Sequence, residues 1–110
     1  MILDLGIINL KTEKMEYYLI SMKHTQKRHE FITLWNPNER GYTYNVGDAG
    51  IYDESKASSI DSEYDSIKIP TEIIQRLFIV TSDHHERVPN CKAVWNELGL
   101  MMNNRSLRRK

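Results

Sequence analysis

Two apolar segments near the start of the chain give the clearest signal of secondary structure. Residues 17–22 read YYLISM and residues 31–35 read FITLW. Side chains in a strand alternate between faces with a period of two, and β-branched and aromatic residues fit a pleated surface. Both faces of these segments carry large apolar groups, which indicates a strand pair covered on both sides. The polar connector 23–30 is too long for a two-residue turn, so the pattern predicts an antiparallel hairpin with a wide loop.

The segments after this hairpin predict that the sheet continues as a meander. Residues 36–41, NPNERG, combine proline, asparagine and glycine, which is typical of a tight turn. A short aromatic strand is predicted at 42–46, a second turn at 47–50 and an alternating strand at 66–69. The acidic, serine-rich stretch 53–65 predicts a solvated loop or a frayed helical turn.

A first short helix is predicted to begin at Pro70. Proline is tolerated at the first helical position, because its missing N–H has no intrahelical partner there. Ile73, Ile74 and Leu77 give this helix an apolar face. Residues 78–80, FIV, could instead continue the chain as a strand.

A second helix is predicted at 91–98. Asn90 is suited to the N-cap, since its side-chain oxygen can accept a backbone N–H of the first turn. Gly99 lies where a left-handed C-terminal cap belongs. The apolar face of this helix includes Trp95, which is expected to pack on the sheet.

Together these elements predict an α+β fold, an antiparallel meander with two short helices packed on it. A small β-barrel with the C-terminal helix as a plug is the alternative. Residues 15–100 are predicted to form a single domain, and the basic segment 101–110 a flexible tail with nothing to pack against. Residues 1–14 are either an added strand or an N-terminal extension upstream of a natural start at Met15.

Composition narrows the possible environments. The chain of 110 residues has 15 basic and 15 acidic side chains, so no field of the whole molecule attracts it to nucleic acid or to an anionic membrane. Its single cysteine, Cys91, cannot form an intrachain disulfide and suits a reducing compartment. No apolar run approaches the ~20 residues that cross a bilayer. We therefore expect a cytoplasmic protein with no membrane partner.

The strongest candidate site is the polar connector of the hairpin. It carries lysine, arginine and histidine side chains, and neighbouring aromatic rings could stack on a base. The candidate residues are Lys23, His24, Lys27, Arg28, His29, Trp35 and Tyr42. Such a loop can bind the phosphates of a nucleic acid or nucleotide. The alternative is a solvated charged turn.

Metal and catalytic chemistry have weaker support in the sequence. With one cysteine, no histidine spacing matches a zinc signature. Cys91 with His84 or His85 could form a nucleophile–base pair, but no third orienting group is evident. A free cysteine at the start of a packed helix is typically a small buried hydrophobe. We expect no metal, no cofactor and no enzymatic activity.

Several short motifs resemble those of a known group of proteins. These are YYLIS at 17–21, KHT at 23–25, TLWNP at 33–37, GY at 41–42 and AGIY at 49–52. The pattern resembles that of small uncharacterised proteins encoded by bacteriophages and prophages.

The resemblance implies a phage gene product that acts inside a bacterium, and it implies no reaction. We expect the protein to bind another protein of the host or the phage, and to inhibit a host factor or defence system. A module that binds nucleic acid or nucleotides through the basic loop 23–29 is the alternative function.

Overall fold

The central element of the fold is strand β1 (Glu16–Ser21), in a computed structural model that describes residues 14–62 and 65–110. Every residue of β1 after Glu16 is buried, as its apolar residues on both faces predict. On one edge β1 pairs antiparallel with β5 (Ser66–Pro70) over its last five residues. On the other edge it pairs with β2 (Leu34–Trp35) near its end and with β4 (Tyr52–Asp53) near its start.

The remaining elements are short and surround this sheet. The five remaining strands also pair antiparallel: the first pairs with β2, the second with the third, and the fourth with the fifth. Two 3-10 turns cover Pro37–Glu39 and Val46–Asp48. The strands are β3 (Tyr42–Thr43), β6 (Ile79–Val80), β7 (Glu86–Arg87), β8 (Leu100–Met102) and β9 (Leu107–Arg109), and the helices are α1 (Glu54–Ile60), α2 (Thr71–Leu77) and α3 (Lys92–Leu98).

The sheet separates two apolar clusters, because successive side chains of β1 point to opposite faces. Tyr18 and Ile20 belong to the larger cluster, which α2, α3 and the β8–β9 hairpin cover. Tyr17 and Leu19 belong to the smaller one, which includes Ala57 of α1. The burial on both faces that was predicted for residues 17–22 is therefore confirmed, whereas the strand predicted at 31–35 is limited to Leu34–Trp35.

The α+β class is confirmed, and the described strands form no closed barrel. The predicted meander holds only from β1 to β3. The chain then returns, so that β4 and β5 both pair with β1 and the sheet order is β3-β2-β1-β4 with β5 on the other edge. Turn composition indicated where the chain reverses, but it carried no information on which strand the returning segment pairs with.

The stretch 53–65 contains helix α1, where a solvated loop or frayed turn was the prediction. The Asp53 carboxylate caps this helix by accepting the Lys56 N–H at 2.8 Å. Ala57 is buried against β1 and Tyr52. Ala57 and Ile60 are the only apolar residues of this helix, and two positions give little hydrophobic periodicity, which explains why the pattern did not reveal the helix.

Helix α3 is present, but its predicted N-cap is wrong. Cys91 occupies that position and makes no side-chain cap hydrogen bond. The Asn90 side chain instead accepts the Trp95 Nε1–H at 2.8 Å and donates to the carbonyl oxygens of Gln26 and His29. Gly99 adopts φ 72°, which confirms the left-handed C-cap.

The predicted tail 101–110 is a packed hairpin. Leu107 is only 1% exposed and lies in the larger core cluster. Its N–H donates to the carbonyl oxygen of Thr25 at 3.0 Å, and Arg109 forms an ion pair with Asp61 at 2.6 Å. The many basic residues of this segment concealed its apolar anchors, the buried Leu107 and the half-buried Met102.

The remaining expectations concern the N-terminal residues and membrane spanning. The alternatives for 1–14 fall, apart from Lys14, outside the described residues. Within 14–62 and 65–110, none of the helices has the length and apolar character needed to span a bilayer.

Candidate functional site

Buried hydroxyl groups fix the loop that follows β1. Thr25 Oγ1 donates to the Ser21 carbonyl oxygen at 2.8 Å and accepts the Thr33 N–H at 2.9 Å. Thr33 Oγ1 in turn donates to the His24 carbonyl oxygen at 2.9 Å. Ser21, Thr25 and Thr33 are all buried. Because buried hydrogen bonds hold both ends of the loop, the side chains it displays are preorganised.

His24 is oriented by a serine and stacked on a tyrosine. Its Nδ1 lies 2.8 Å from Ser21 Oγ, and the same oxygen accepts the His24 N–H. Ser21 Oγ can donate to Nδ1 or accept from it, according to the tautomer of the imidazole, and in either tautomer this contact does not occupy Nε2. The imidazole lies 4.3 Å from the Tyr42 ring, between centroids, and Tyr42 meets Trp35 edge-on at 4.8 Å.

Trp35 ties this aromatic row to the sheet. Its Nε1–H donates to Ser66 Oγ at 2.9 Å, and Ser66 is a buried residue of β5. The indole is therefore half-buried and fixed in direction, and it supports the exposed Tyr42 ring from one side.

His29 is oriented by the main chain. The Gln26 N–H donates to His29 Nδ1 at 3.1 Å, and the His29 N–H donates back to the Gln26 carbonyl oxygen. A backbone N–H can only donate, so Nδ1 is the acceptor and the ring proton is on Nε2. The ring faces Tyr44 edge-on, with 6.0 Å between centroids.

These rings surround a pocket of about 320 Å³, which we call the aromatic pocket. Tyr42 and Tyr44 are 40% and 39% exposed at its rim. A second depression of about 190 Å³ includes Lys23, Trp35 and Asp65 and shares His24 and Tyr42 with the first. The aromatic pocket is lined by His24, His29, Thr33, Tyr42, Thr43 and Tyr44.

A different depression, the basic cleft, is lined by other residues of the same loop. It has a volume of about 310 Å³ and includes residues of the β8–β9 turn. The Lys27 N–H donates to the Arg105 carbonyl oxygen at 3.1 Å, and Gln26 forms a β-bridge with Ser106. The basic cleft is lined by Gln26, Lys27, Arg28, Asn104 and Arg105.

The seven predicted site residues are thus divided between two surfaces. Lys27 and Arg28 line the basic cleft, whereas the other five line the aromatic pocket or the depression beside it. Sequence reasoning missed Tyr44, although its alternation with Tyr42 could have placed it on the same face of a strand. It also missed Arg105, because the segment that carries it was taken for a free tail.

The motifs behind the phage-protein resemblance lie close together. The Tyr52 hydroxyl donates to the Asn36 carbonyl oxygen and accepts the Glu39 N–H at 3.0 Å. A Cβ on Gly50 would lie 2.8 Å from Pro37 Cα and 2.9 Å from Asn36 O. Gly50 therefore has no room for a side chain, and it allows the segment before β4 to pack against the turn after β2.

The acidic stretch 53–65 has structural partners for its side chains. Glu54 pairs with Lys68 at 3.1 Å, and Asp61 pairs with Arg109 and accepts the Lys68 N–H. Hydrogen bonds from the Tyr17 hydroxyl and from Lys68 hold the pKa of Glu54 below its ordinary value of 4.5. These carboxylates stabilise the packing of α1 and the β8–β9 hairpin on the sheet.

The geometry also bears on the metal and nucleophile alternatives. Within 14–62 and 65–110, no three histidine, cysteine or acidic side chains are grouped as metal ligands. His29 would have to give up its Nδ1 hydrogen bond or its last proton to bind a metal through Nε2. Cys91 is exposed, so the expectation that it is buried is wrong.

Comparisons of the chain with protein-family models, with curated protein sequences and with solved structures give no match.

Proposed function

We propose that this is a small binding protein of phage or prophage origin that acts by protein–protein contact through the aromatic pocket. Its partner would be a protein of the bacterial host or of the phage, and the binding would inhibit a host factor or defence system in the cytoplasm. The motif resemblance supplies the phage context. The observation that carries the proposal is the pair of exposed tyrosines at the rim of a pocket with fixed walls.

The physical case rests on preorganisation. Tyr42 is held between His24 and Trp35, and Tyr44 lies against His29 and Phe31. Tyrosines present a large apolar ring and a polar hydroxyl, and they are frequent among the residues that dominate binding energy. Because neighbouring rings already hold the two tyrosines, binding would lose little side-chain entropy.

The pocket also favours a particular anchor. Its volume of about 320 Å³ is at the lower end of ligand sites, so it suits a single large side chain or planar group. The Nε2–H of His29 and the tyrosine hydroxyls can donate hydrogen bonds at its edge. A partner side chain that combines an apolar surface with an acceptor atom would match these walls.

The Ser21 hydroxyl next to His24 is better explained as part of a binding site than as a catalytic nucleophile. Ser21 Oγ is within hydrogen-bonding distance of the imidazole, as a nucleophile would be. However, Ser21 is buried, and its oxygen also accepts the His24 N–H. An oxygen that is buried and already hydrogen-bonded is better understood as support for the His24 ring.

The test is an affinity capture with matched variants. The tagged protein would be used to capture partners from infected and uninfected host lysate, in parallel with Tyr44→Ala and with Val80→Ala. Val80 is 64% exposed on β6, lines neither the aromatic pocket nor the depression beside it, and serves as the control. We expect a partner that is retained by wild type and Val80→Ala and weakened about tenfold or more by Tyr44→Ala. Capture of no partner, or equal capture by Tyr44→Ala, would contradict the proposal.

A further inference from the structure

The basic cleft carries an inference that goes beyond the proposed protein contact and concerns different residues. We propose that the basic cleft is a phosphate-binding site, formed jointly by the loop after β1 and the β8–β9 turn. Lys27, Arg28 and Arg105 supply the positive charge, and the amide side chains of Gln26 and Asn104 supply further donors. Among residues 14–62 and 65–110, no carboxylate lines the cleft.

The charge of the cleft is not neutralised by neighbouring side chains. The four ion pairs of the described residues bring Lys56, Lys68, Arg87 and Arg109 to acidic partners. Within 14–62 and 65–110, none of these pairs involves a cation of the cleft. A chain whose formal charge is zero thus keeps a local excess of positive charge at one concave place. Such a local field attracts anions even when the whole molecule does not.

The backbone below these side chains is already fixed. The Lys27 N–H donates to the Arg105 carbonyl oxygen, and the Leu107 N–H donates to that of Thr25. The Asn103 side chain accepts the Arg105 and Ser106 N–H groups at 2.7 and 2.8 Å, which closes the turn. An anion would therefore order only the ends of the cleft side chains, so the entropic cost of binding is small.

The donor set matches phosphate better than a single carboxylate. Two guanidinium groups can each donate two parallel hydrogen bonds to phosphate oxygens, and the lysine adds a point charge. The phosphate could belong to a nucleic-acid strand or to a small phosphate such as a nucleotide. Both sources share the chemistry that the cleft recognises, and the experiment separates them.

The experiment measures fluorescence anisotropy of a labelled single-stranded oligonucleotide of about 12 nucleotides at roughly 50 mM salt. Unlabelled duplex, inorganic phosphate and a nucleoside monophosphate are used as competitors. We expect Arg105→Glu to weaken binding about tenfold or more, and Arg105→Ala to reduce the slope of log K against log salt by about 0.7. Competition by the nucleoside monophosphate would identify a small phosphate as the ligand, and competition by oligonucleotides alone would identify a strand.

Two controls keep the result specific. Arg76→Glu changes the net charge by the same amount on α2, outside the cleft, and should leave affinity within about twofold. Lys27→Glu tests the cleft from the loop side, in case Arg105→Glu disturbs the hairpin. Tyr44→Ala should leave this binding unchanged, which separates it from the protein contact. Absence of binding to any of these ligands, or equal losses with Arg76→Glu and Arg105→Glu, would overturn the proposal.

Discussion

The packing of Leu107 predicts that the C-terminal hairpin is part of the stable core. The proposed perturbation is Leu107→Ala, which removes most of a side chain that is 1% exposed among apolar residues of the larger cluster. Buried leucine-to-alanine changes destabilise by about 2.7–5.0 kcal/mol, depending on how far the site collapses. The β8–β9 hairpin is a separate two-stranded sheet that can adjust its position, so we expect about 3 kcal/mol.

The assay is urea unfolding followed by circular dichroism and tryptophan fluorescence. With an m-value of about 1–3 kcal/mol/M, a loss of about 3 kcal/mol lowers the unfolding midpoint by about 1–3 M. Arg108→Ala is the matched control, because Arg108 is the exposed neighbour on the same strand and should change stability by less than about 0.5 kcal/mol. A loss below about 1 kcal/mol for Leu107→Ala would refute the packed hairpin.

Two further predictions concern the sheet and its flanking charges. Gly50→Ala should lower the free energy of unfolding in urea by about 2–3 kcal/mol, since the new Cβ would lie 2.7–2.9 Å from atoms of Tyr52, Pro37 and Asn36. Gly47→Ala is the control: no atom lies within 4 Å of its Cβ, so it should change stability by less than about 0.5 kcal/mol. Equal effects of the two changes would contradict the close approach at Gly50. The pKa of Glu54 is lowered in the fold, so its stabilising contribution is present above the ordinary pKa of 4.5 and is lost as the pH falls through the lower folded pKa. Thermal unfolding should therefore show Glu54→Gln less stable than wild type at neutral pH, with the gap closing under acid conditions, and a gap that is independent of pH would argue against this linkage.

The sequence carried enough information for the class of the fold and for the strand pair at its centre. Residues 17–22 carry apolar side chains on both faces, which indicates a strand covered on both sides. In the structure the two faces of this strand belong to two core clusters. Gly99 and Pro70 indicated helix boundaries in the sequence. Glycine readily adopts the left-handed conformation of a C-cap, and proline has no N–H to donate within a helix. Such local constraints are readable without knowledge of distant contacts.

The features that sequence reasoning missed depend on contacts between distant segments. Asn90 was available as a cap, but its side chain instead hydrogen-bonds to Trp95 and to the loop after β1. Leu107 is one apolar residue among basic ones, and only the nearby Thr25 carbonyl and core surface make it an anchor. Neither interaction leaves a periodic trace in the sequence.

In the candidate site, too, some features follow from the local sequence and others from contacts between distant segments. The loop residues from Lys23 to His29 were identified because charged and imidazole side chains cluster within a few positions. Their separation into an aromatic pocket and a basic cleft depends on distant residues, because Tyr42 and Tyr44 line the first and Asn104 and Arg105 line the second. The contribution of Arg105 could not be read from the sequence, because it depends on the docking of the β8–β9 hairpin.

The pairing of β1 has a consequence for how the chain acquires its structure. Its longest ladder is with residues 66–70, whereas its pairing with β2 is confined to a single register position, Ile20 with Leu34. During synthesis, the early strand therefore leaves the ribosome long before its main neighbour does. Contacts of such wide sequence separation slow folding, because the intervening loop must close first. Newly made chains would expose an apolar strand edge in the meantime, and a chaperone that recognises extended apolar segments would find its target at residues 17–22.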